Sequence, residues 1–204
     1  MPTITGIKPQ KSKKRVNIYL DDKFGFGLDL ENFIKLGLKV EQVLAEEEVS
    51  EIVKKSEFQK TLDYLLRFAT LRSRSAKEIT DWFKRKRVHE SMHKGLFDRL
   101  KHLELLDDTK FAKWWISQRQ NFRPKAKRIL NYELRIKGIS EETIREVLSE
   151  MEIDEKSIAV ELLKKKDRGW DSQKMLRYLA AHGFDWEKAS DSVKIYSQWR
   201  NKMK

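Results

Sequence analysis

Two histidines one helical turn apart, with a glutamate beside the first, appear in His89-Glu90-Ser91-Met92-His93. This is the H-E-x-x-H spacing at which a helix holds zinc through both imidazoles while the carboxylate activates a bound water. The pattern is short and no third-ligand motif follows it. His102 is too near in sequence to complete the set easily and His182 is distant, so coincidence is the stronger reading and no metal is expected. There is no cysteine, hence no disulfide and no thiol nucleophile, and the reducing conditions of the cytoplasm are the simplest compartment. No Ser-His-Asp set, phosphate-binding glycine loop or carboxylate pair stands out. No catalytic residue and no cofactor is therefore assigned, and a non-enzymatic binding protein is expected.

The basic residues carry more. Lys and Arg number 44 against 32 Asp and Glu, a surplus of +12 that favours polyanionic partners. From Thr109 to Tyr132 there is no acid, while Lys110, Lys113, Arg119, Arg123, Lys125, Lys127 and Arg128 surround an aromatic segment. The block reads as a surface for DNA phosphates or an acidic protein groove, against the plainer reading of a solvated helix face. Lys84-Arg85-Lys86-Arg87, preceded by Arg72 and Arg74, repeats the idea; a nuclear-targeting run is its other textual match. Phe111 and Trp115 lie four apart and should face a core, whereas Trp114 is turned about 100° away. Trp114 is then free to stack on a base or fill a partner pocket, or is half-buried against a neighbouring helix.

The elements that must position these residues are mostly helical. With 37% charged residues, 8 Gly and 3 Pro, the composition suits helices over a loop-rich β fold. The exception is Thr3 to Asp29, where Ile4, Ile7, Val16, Ile18, Leu20, Phe24, Phe26 and Leu28 alternate with polar residues, predicting a small antiparallel sheet. Asp21-Asp22-Lys23 supplies a hairpin turn, and Pro9 to Arg15 a basic connection. Asp29 can cap a short helix from Leu30 to Leu36 that Gly37 ends, and another short helix is expected near Glu46 to Lys55. The segment Met1 to Gln10 lacks the order of a signal peptide, and no apolar run is long enough to span a bilayer.

Beyond residue 56 the chain repeats. Ile79, Phe83, Arg87 and Val88 recur 51 residues on as Leu130, Leu134, Gly138 and Ile139, and 45 residues later as Met175, Leu179, Gly183 and Phe184. Each set marks the back of a middle helix, a stop, and the apolar start of the next helix. Helices precede each middle one (Glu57 to Leu71, Lys110 to Asn121, Asp154 to Lys166) and follow it (about His89 to Leu103, Ser140 to Met151, Trp186 to Trp199). The expected organisation is a sheet with short helices over 1–56, then three-helix units over 57–106, 107–153 and 154–204. Such units bury little alone and should stack into an elongated, curved array. Ser75 with Glu78 three residues on has the pattern of a capping box.

Leu105-Leu106-Asp107-Asp108 followed by Phe111-Ala112 and Trp115 resembles the central signature of the RecX family, in which two acids cap a helix with an aromatic face. The Ser75-Ala76-Lys77-Glu78 helix start and the Lys137-Gly138-Ile139 turn resemble it too, and the likeness covers nearly the whole chain. It departs at Arg87, where Gly is commoner, at Trp114, where a small residue is usual, and in the third unit, which reads as lacking the double acid. The resemblance implies a bacterial regulator that lies along the groove of a RecA filament on single-stranded DNA and inhibits strand exchange, ATP turnover and coprotease activity. It would act as a monomer, with possible direct DNA contact and no membrane partner.

Overall fold

The computed structural model describes residues 1–11 and 13–203; Ser12, in the expected basic connection, and Lys204, at the end of the expected third unit, lie outside the described residues. The chain divides into two compact units, residues 1–68 with 88–96 and residues 69–87 with 97–204. In the first, β1 (Ile4–Pro9), β2 (Arg15–Leu20) and β3 (Lys23–Asp29) form an antiparallel sheet in that order. Their period-two alternation turns Ile4, Val16, Ile18, Phe26 and Leu28 onto a core completed by Leu38, Leu44 and Ile52. Asp21 and Asp22 both take positive φ, 46° and 64°, the two-residue turn that matches strand twist, and Lys23 already belongs to β3. Asp29 caps α1 (Leu30–Leu36) through the Asn32 amide at 2.9 Å, and Gly37 ends it at φ 60°.

The two helices expected near Glu46 to Lys55 and from Glu57 to Leu71 are one: α2 (Glu46–Thr70) runs unbroken for 25 residues. No Gly or Pro interrupts this span. Ser56 is buried and donates to the Gly27 carbonyl at 2.5 Å while accepting from Arg15 Nη2 at 3.0 Å, so its hydroxyl serves the sheet and does not start a new helix.

The remaining helices are α3 (Ala76–Lys86), α4 (Glu90–His102), α5 (Asp108–Phe122), α6 (Lys127–Ile136), α7 (Glu141–Glu150), α8 (Glu155–Lys166), α9 (Ser172–Ala181) and α10 (Trp186–Lys202). The three middle helices α3, α6 and α9 point Ile79 and Phe83, Leu130 and Leu134, and Met175 and Leu179 inward, all fully buried. Each ends at a left-handed residue: Arg87 at φ 53°, Gly138 at 81° and Gly183 at 89°. Arg87 thus takes the conformation its glycine counterparts take, at the steric cost a Cβ carries there. After the two glycines the amides of Ile139 and Phe184 return to Leu134 and Leu179 at 3.1 and 3.2 Å, the closing bond of a Schellman turn.

A repeated joint links the second unit internally. Asp107 caps α5 through the Lys110 amide, and the adjacent Asp108 reaches across to accept the Ala76 amide of α3 at 2.9 Å. Asp154 caps α8 through the Ser157 amide, and the adjacent Glu155 accepts the Lys127 amide of α6 at 2.9 Å. The third helical group therefore has its own acid pair, Asp154-Glu155, contrary to the sequence expectation; the longer glutamate side chain does the work of Asp108. The glycine turns complete both joints. A Cβ on Gly138 would stand 2.7 Å from Lys77 Cβ, and one on Gly183 would overlap Ile129 Cγ1.

Gly183→Ala combines strain at φ 89° with this overlap, and is expected to destabilise by about 2 kcal/mol or more in urea unfolding. Leu134→Ala empties a fully buried site and should lower stability by about 2–5 kcal/mol in the same assay, with a near-zero change contradicting its place in the core.

Candidate functional site

The basic and aromatic residues proposed from the sequence as contacts, from Arg72 to Arg128, fall in the second unit, and the structure sorts them into two kinds. Glu78, three residues past the α3 cap, anchors the first kind. Ser75 Oγ accepts the Glu78 amide at 3.2 Å, one arm of the expected capping box, but the Glu78 carboxylate turns to cations. Arg72 grips it with two nitrogens at 2.8 and 3.0 Å, Lys137 donates at 2.7 Å, and buried Arg74 lies at 4.0 Å. The Arg72 guanidinium also covers the Trp114 ring at 5.3 Å.

Glu133, the residue that closes the acid-free stretch, forms a second node. One oxygen receives Arg119 Nε at 2.7 Å and Trp115 Nε1 at 2.9 Å, and Arg119 and Lys137 lie over the Trp115 ring at 4.6 and 4.7 Å. Lys113 pairs with Glu150 at 2.6 Å. Trp114 and Trp115 are both half-buried against Phe111. Arg72, Arg74, Lys113, Arg119 and Trp114 are thus knitted into the scaffold. The residues that knit them, Glu78, Glu133, Trp115, Lys137 and Glu150, were not assigned as contact residues. The sequence marked Glu78 as a capping-box partner, Trp115 as a core aromatic and Lys137 as part of a turn, and gave no sign of the ion pairs they make.

The second kind points outward. Lys84, Arg85, Lys86 and Arg87 are exposed at the C-terminal end of α3, where cations also complement the helix dipole. Arg123, Lys125, Lys127 and Arg128 flank the connection from α5 to α6; Arg123 and Arg128 are exposed and the two lysines half-buried. Among the described residues no carboxylate pairs with Lys84, Lys86, Arg87, Arg123, Lys125 or Lys127. Arg128 interacts electrostatically with Asp185.

The H-E-x-x-H histidines make short local contacts: His93 Nε2 lies 3.0 Å from the Val88 carbonyl, and His89 Nδ1 2.8 Å from Ser91 Oγ. Among the described residues no three His, Asp or Glu side chains gather as a metal site, and no helix is long and apolar enough to cross a membrane.

Residues 2–45 match the pattern described as the regulatory protein RecX N-terminal domain, and residues 107–148 that of the RecX second three-helix domain. Regulatory protein RecX of Bacillus licheniformis is 36% identical over 207 residues, covering 95% of this chain and 77% of its own. The RecX of Clostridium perfringens strain 13 is 32% identical, covering 95% and 96%. The chain belongs to the RecX family. A crystal structure of regulatory protein RecX shares the fold over 97% of this chain and all of its own, with a TM-score of 0.67 at 24% identity. RecX from Lactobacillus salivarius matches 69% of this chain with a TM-score of 0.57 at 18% identity. The segment matched to the RecX second three-helix domain holds Lys113, Trp114, Arg119, Arg123, Lys125, Lys127 and Arg128.

In this RecX chain, burial alone would raise the Glu78 carboxyl, but hydrogen bonds and charge from Arg72 and Lys137 outweigh it and hold it below the ordinary value of 4.5. A depressed carboxylate contributes stability above its unfolded pKa and loses it as pH falls through the folded one. Stability should therefore decline as pH drops below about 4.5. Glu78→Gln is expected to cost about 2 kcal/mol at pH 7, since it leaves partly buried cations short of a partner, and to flatten that acid limb; urea unfolding at pH 7 and pH 4 reads both.

Proposed function

We propose that this chain binds RecA filaments on single-stranded DNA and restrains their recombinase, ATPase and coprotease activities, in recombination and DNA repair, through shape and charge and without a cofactor or catalytic step. It acts in the cytoplasm as a monomer. The observation that carries the reading is the cluster Arg123, Lys125 and Lys127: cations on one connection, inside the matched RecX segment, with no carboxylate partner among the described residues. Their charge remains available to a polyanionic surface, whereas that of Arg72, Arg74, Lys113 and Arg119 is balanced by carboxylates within the fold. Lys84, Lys86 and Arg87 extend the outward set.

The contact is with a filament in preference to naked duplex. In a three-helix module that reads a major groove, the last helix enters the DNA. Here that helix, α7, exposes Glu142 and Glu146, which phosphates repel, beside one arginine, Arg145, while Glu141 and Glu150 are paired with Arg135 and Lys113. Units over 57–106, 107–153 and 154–204, following the sheet-bearing 1–56, would each supply a weak contact, and linked weak contacts gain affinity through effective concentration.

The test is ATP hydrolysis by a preformed RecA filament on single-stranded DNA, with this protein added well below the amount that would cover the DNA. Potent inhibition is expected. The combined change Arg123→Ala, Lys125→Ala, Lys127→Ala should raise the inhibitory concentration about tenfold at physiological salt while the unfolding midpoint moves little. Unaltered inhibition by that variant would place the contact elsewhere. No inhibition by the parent, with tight salt-sensitive binding to bare DNA, would favour a helical nucleic-acid binder independent of RecA.

A further inference from the structure

The first unit contains a cleft of about 670 Å³ between β3 and α2 that neither the structural core nor the basic clusters above account for. On α2 it is lined from Val53 to Arg67, and Lys60, Tyr64 and Arg67 form one stripe of that wall at helical spacings of four and three residues, with Glu57 and Asp63 beside it. Tyr64 is 53% exposed, and the Arg67 guanidinium lies 5.9 Å from its ring centroid. Among the described residues no carboxylate pairs with Lys60 or Arg67. Opposite, Phe24 of β3 is 61% exposed and supported edge-on by Tyr19 at 6.3 Å.

Of the carboxylates on the rim, Asp29 directs both oxygens to Asn32 and Asp63 accepts from Gln59, leaving Glu57 as the acid without such a bond. The floor is already satisfied, because the Gly27 carbonyl accepts from both Arg15 and Ser56. What remains open is Glu57 and, along the rest of the cleft, aromatic faces beside cations; Lys14, Arg15, Lys60 and Arg67 outnumber the three carboxylates Asp29, Glu57 and Asp63. Flat π-faces next to unpaired positive charge suit a chain of alternating bases and phosphates, because every base has a face to stack and every linkage a charge to neutralise. A purely acidic peptide would use the cations and leave the two rings exposed to water.

We propose that this cleft binds single-stranded nucleic acid, with a base stacked on Tyr64, a neighbouring base against Phe24, and the adjoining phosphates on Lys60 and Arg67. The site is separate from the Arg123–Arg128 connection and does not need RecA. It gives the sheet-bearing unit its own hold on a strand.

The experiment uses the full chain and a short fluorescein-labelled oligothymidylate, followed by anisotropy across a salt series. Tyr64→Ala should weaken binding at least about fivefold, the low end of what one base–aromatic stack supplies. Lys60→Ala with Arg67→Ala should lower the salt slope by roughly 1.4, about 0.7 for each phosphate contact to a single strand. In the unsubstituted chain, photocrosslinking with an iodouracil-bearing strand should land on the peptide containing Tyr64, which tests the site even if a variant folds poorly. Unchanged affinity in a folded Tyr64→Ala variant, or crosslinks confined to residues 109–132, would overturn the proposal. Filament inhibition by the same variants is scored separately: loss of oligonucleotide binding with inhibition retained leaves the filament reading standing, and the reverse leaves the cleft standing.

Discussion

A carboxylate borrowed from the next helical group holds the start of a middle helix, and the second unit depends on this bond. The first amides of any helix have no partner within it, and a half-buried amide left bare costs about as much as a lost hydrogen bond. At α3, Ser75 satisfies only the Glu78 amide, and the Ala76 amide is met by Asp108 from the start of α5. At α6 the preceding residue is Ala126, which has no capping side chain, so Glu155 from the start of α8 has the larger role there. Lys188 steadies Glu155 at 2.5 Å. Secondary structure at these points is completed by a tertiary contact.

Charge attraction is not what maintains the first of these bonds. Burial raises the Asp108 carboxyl, the Ala76 amide lowers it, and Asp107 raises it again, with the net effect upward. The ionised form is therefore disfavoured by its surroundings, with the Ala76 amide the contact that favours it. Each joint has one glycine stop, at which a side chain would meet the neighbouring helix: Gly138 against Lys77 of α3, and Gly183 against Ile129 of α6. Glu78 and Glu133 gather cations from separate segments, Arg72 and Lys137 on Glu78 and Arg119 on Glu133. A positive surplus counted over the whole sequence therefore overstates the charge available to a partner.

What could be read in the sequence follows from what each signal depends on. The sheet was legible because alternation at Val16, Ile18, Phe26 and Leu28 is set by strand geometry alone. The three middle helices were legible because an apolar pair at four-residue spacing followed by a left-handed stop is a local pattern, and even Arg87 kept it. The continuity of α2 was not: the expected break between Lys55 and Glu57 falls at Ser56, which the structure keeps inside the helix with its hydroxyl on the Gly27 carbonyl. Glu78 read as a capping-box partner because Lys137, which helps to draw it away, lies 59 residues on. The acid pair Asp154-Glu155 was overlooked because equivalence with Asp107-Asp108 lies in reach across a joint, and two different side chains supply it.

The same pairing of cation with aromatic ring occurs in both units with opposite consequences. Over Trp114, both terminal nitrogens of the Arg72 guanidinium are engaged by Glu78 and one also by the Ser73 carbonyl, so the pair is a structural element. Beside Tyr64, Arg67 has the ring contact and no carboxylate among the described residues. A guanidinium interacts through its face with a ring and through its edge with an oxyanion, and the two do not compete. Where the edge is occupied from within the fold, the pair stabilises the protein; where it is open, the pair remains able to accept a phosphate from outside. The distinction between scaffold and contact surface in this molecule thus rests on where the nearest carboxylate lies, and not on how many arginines and aromatics a segment contains.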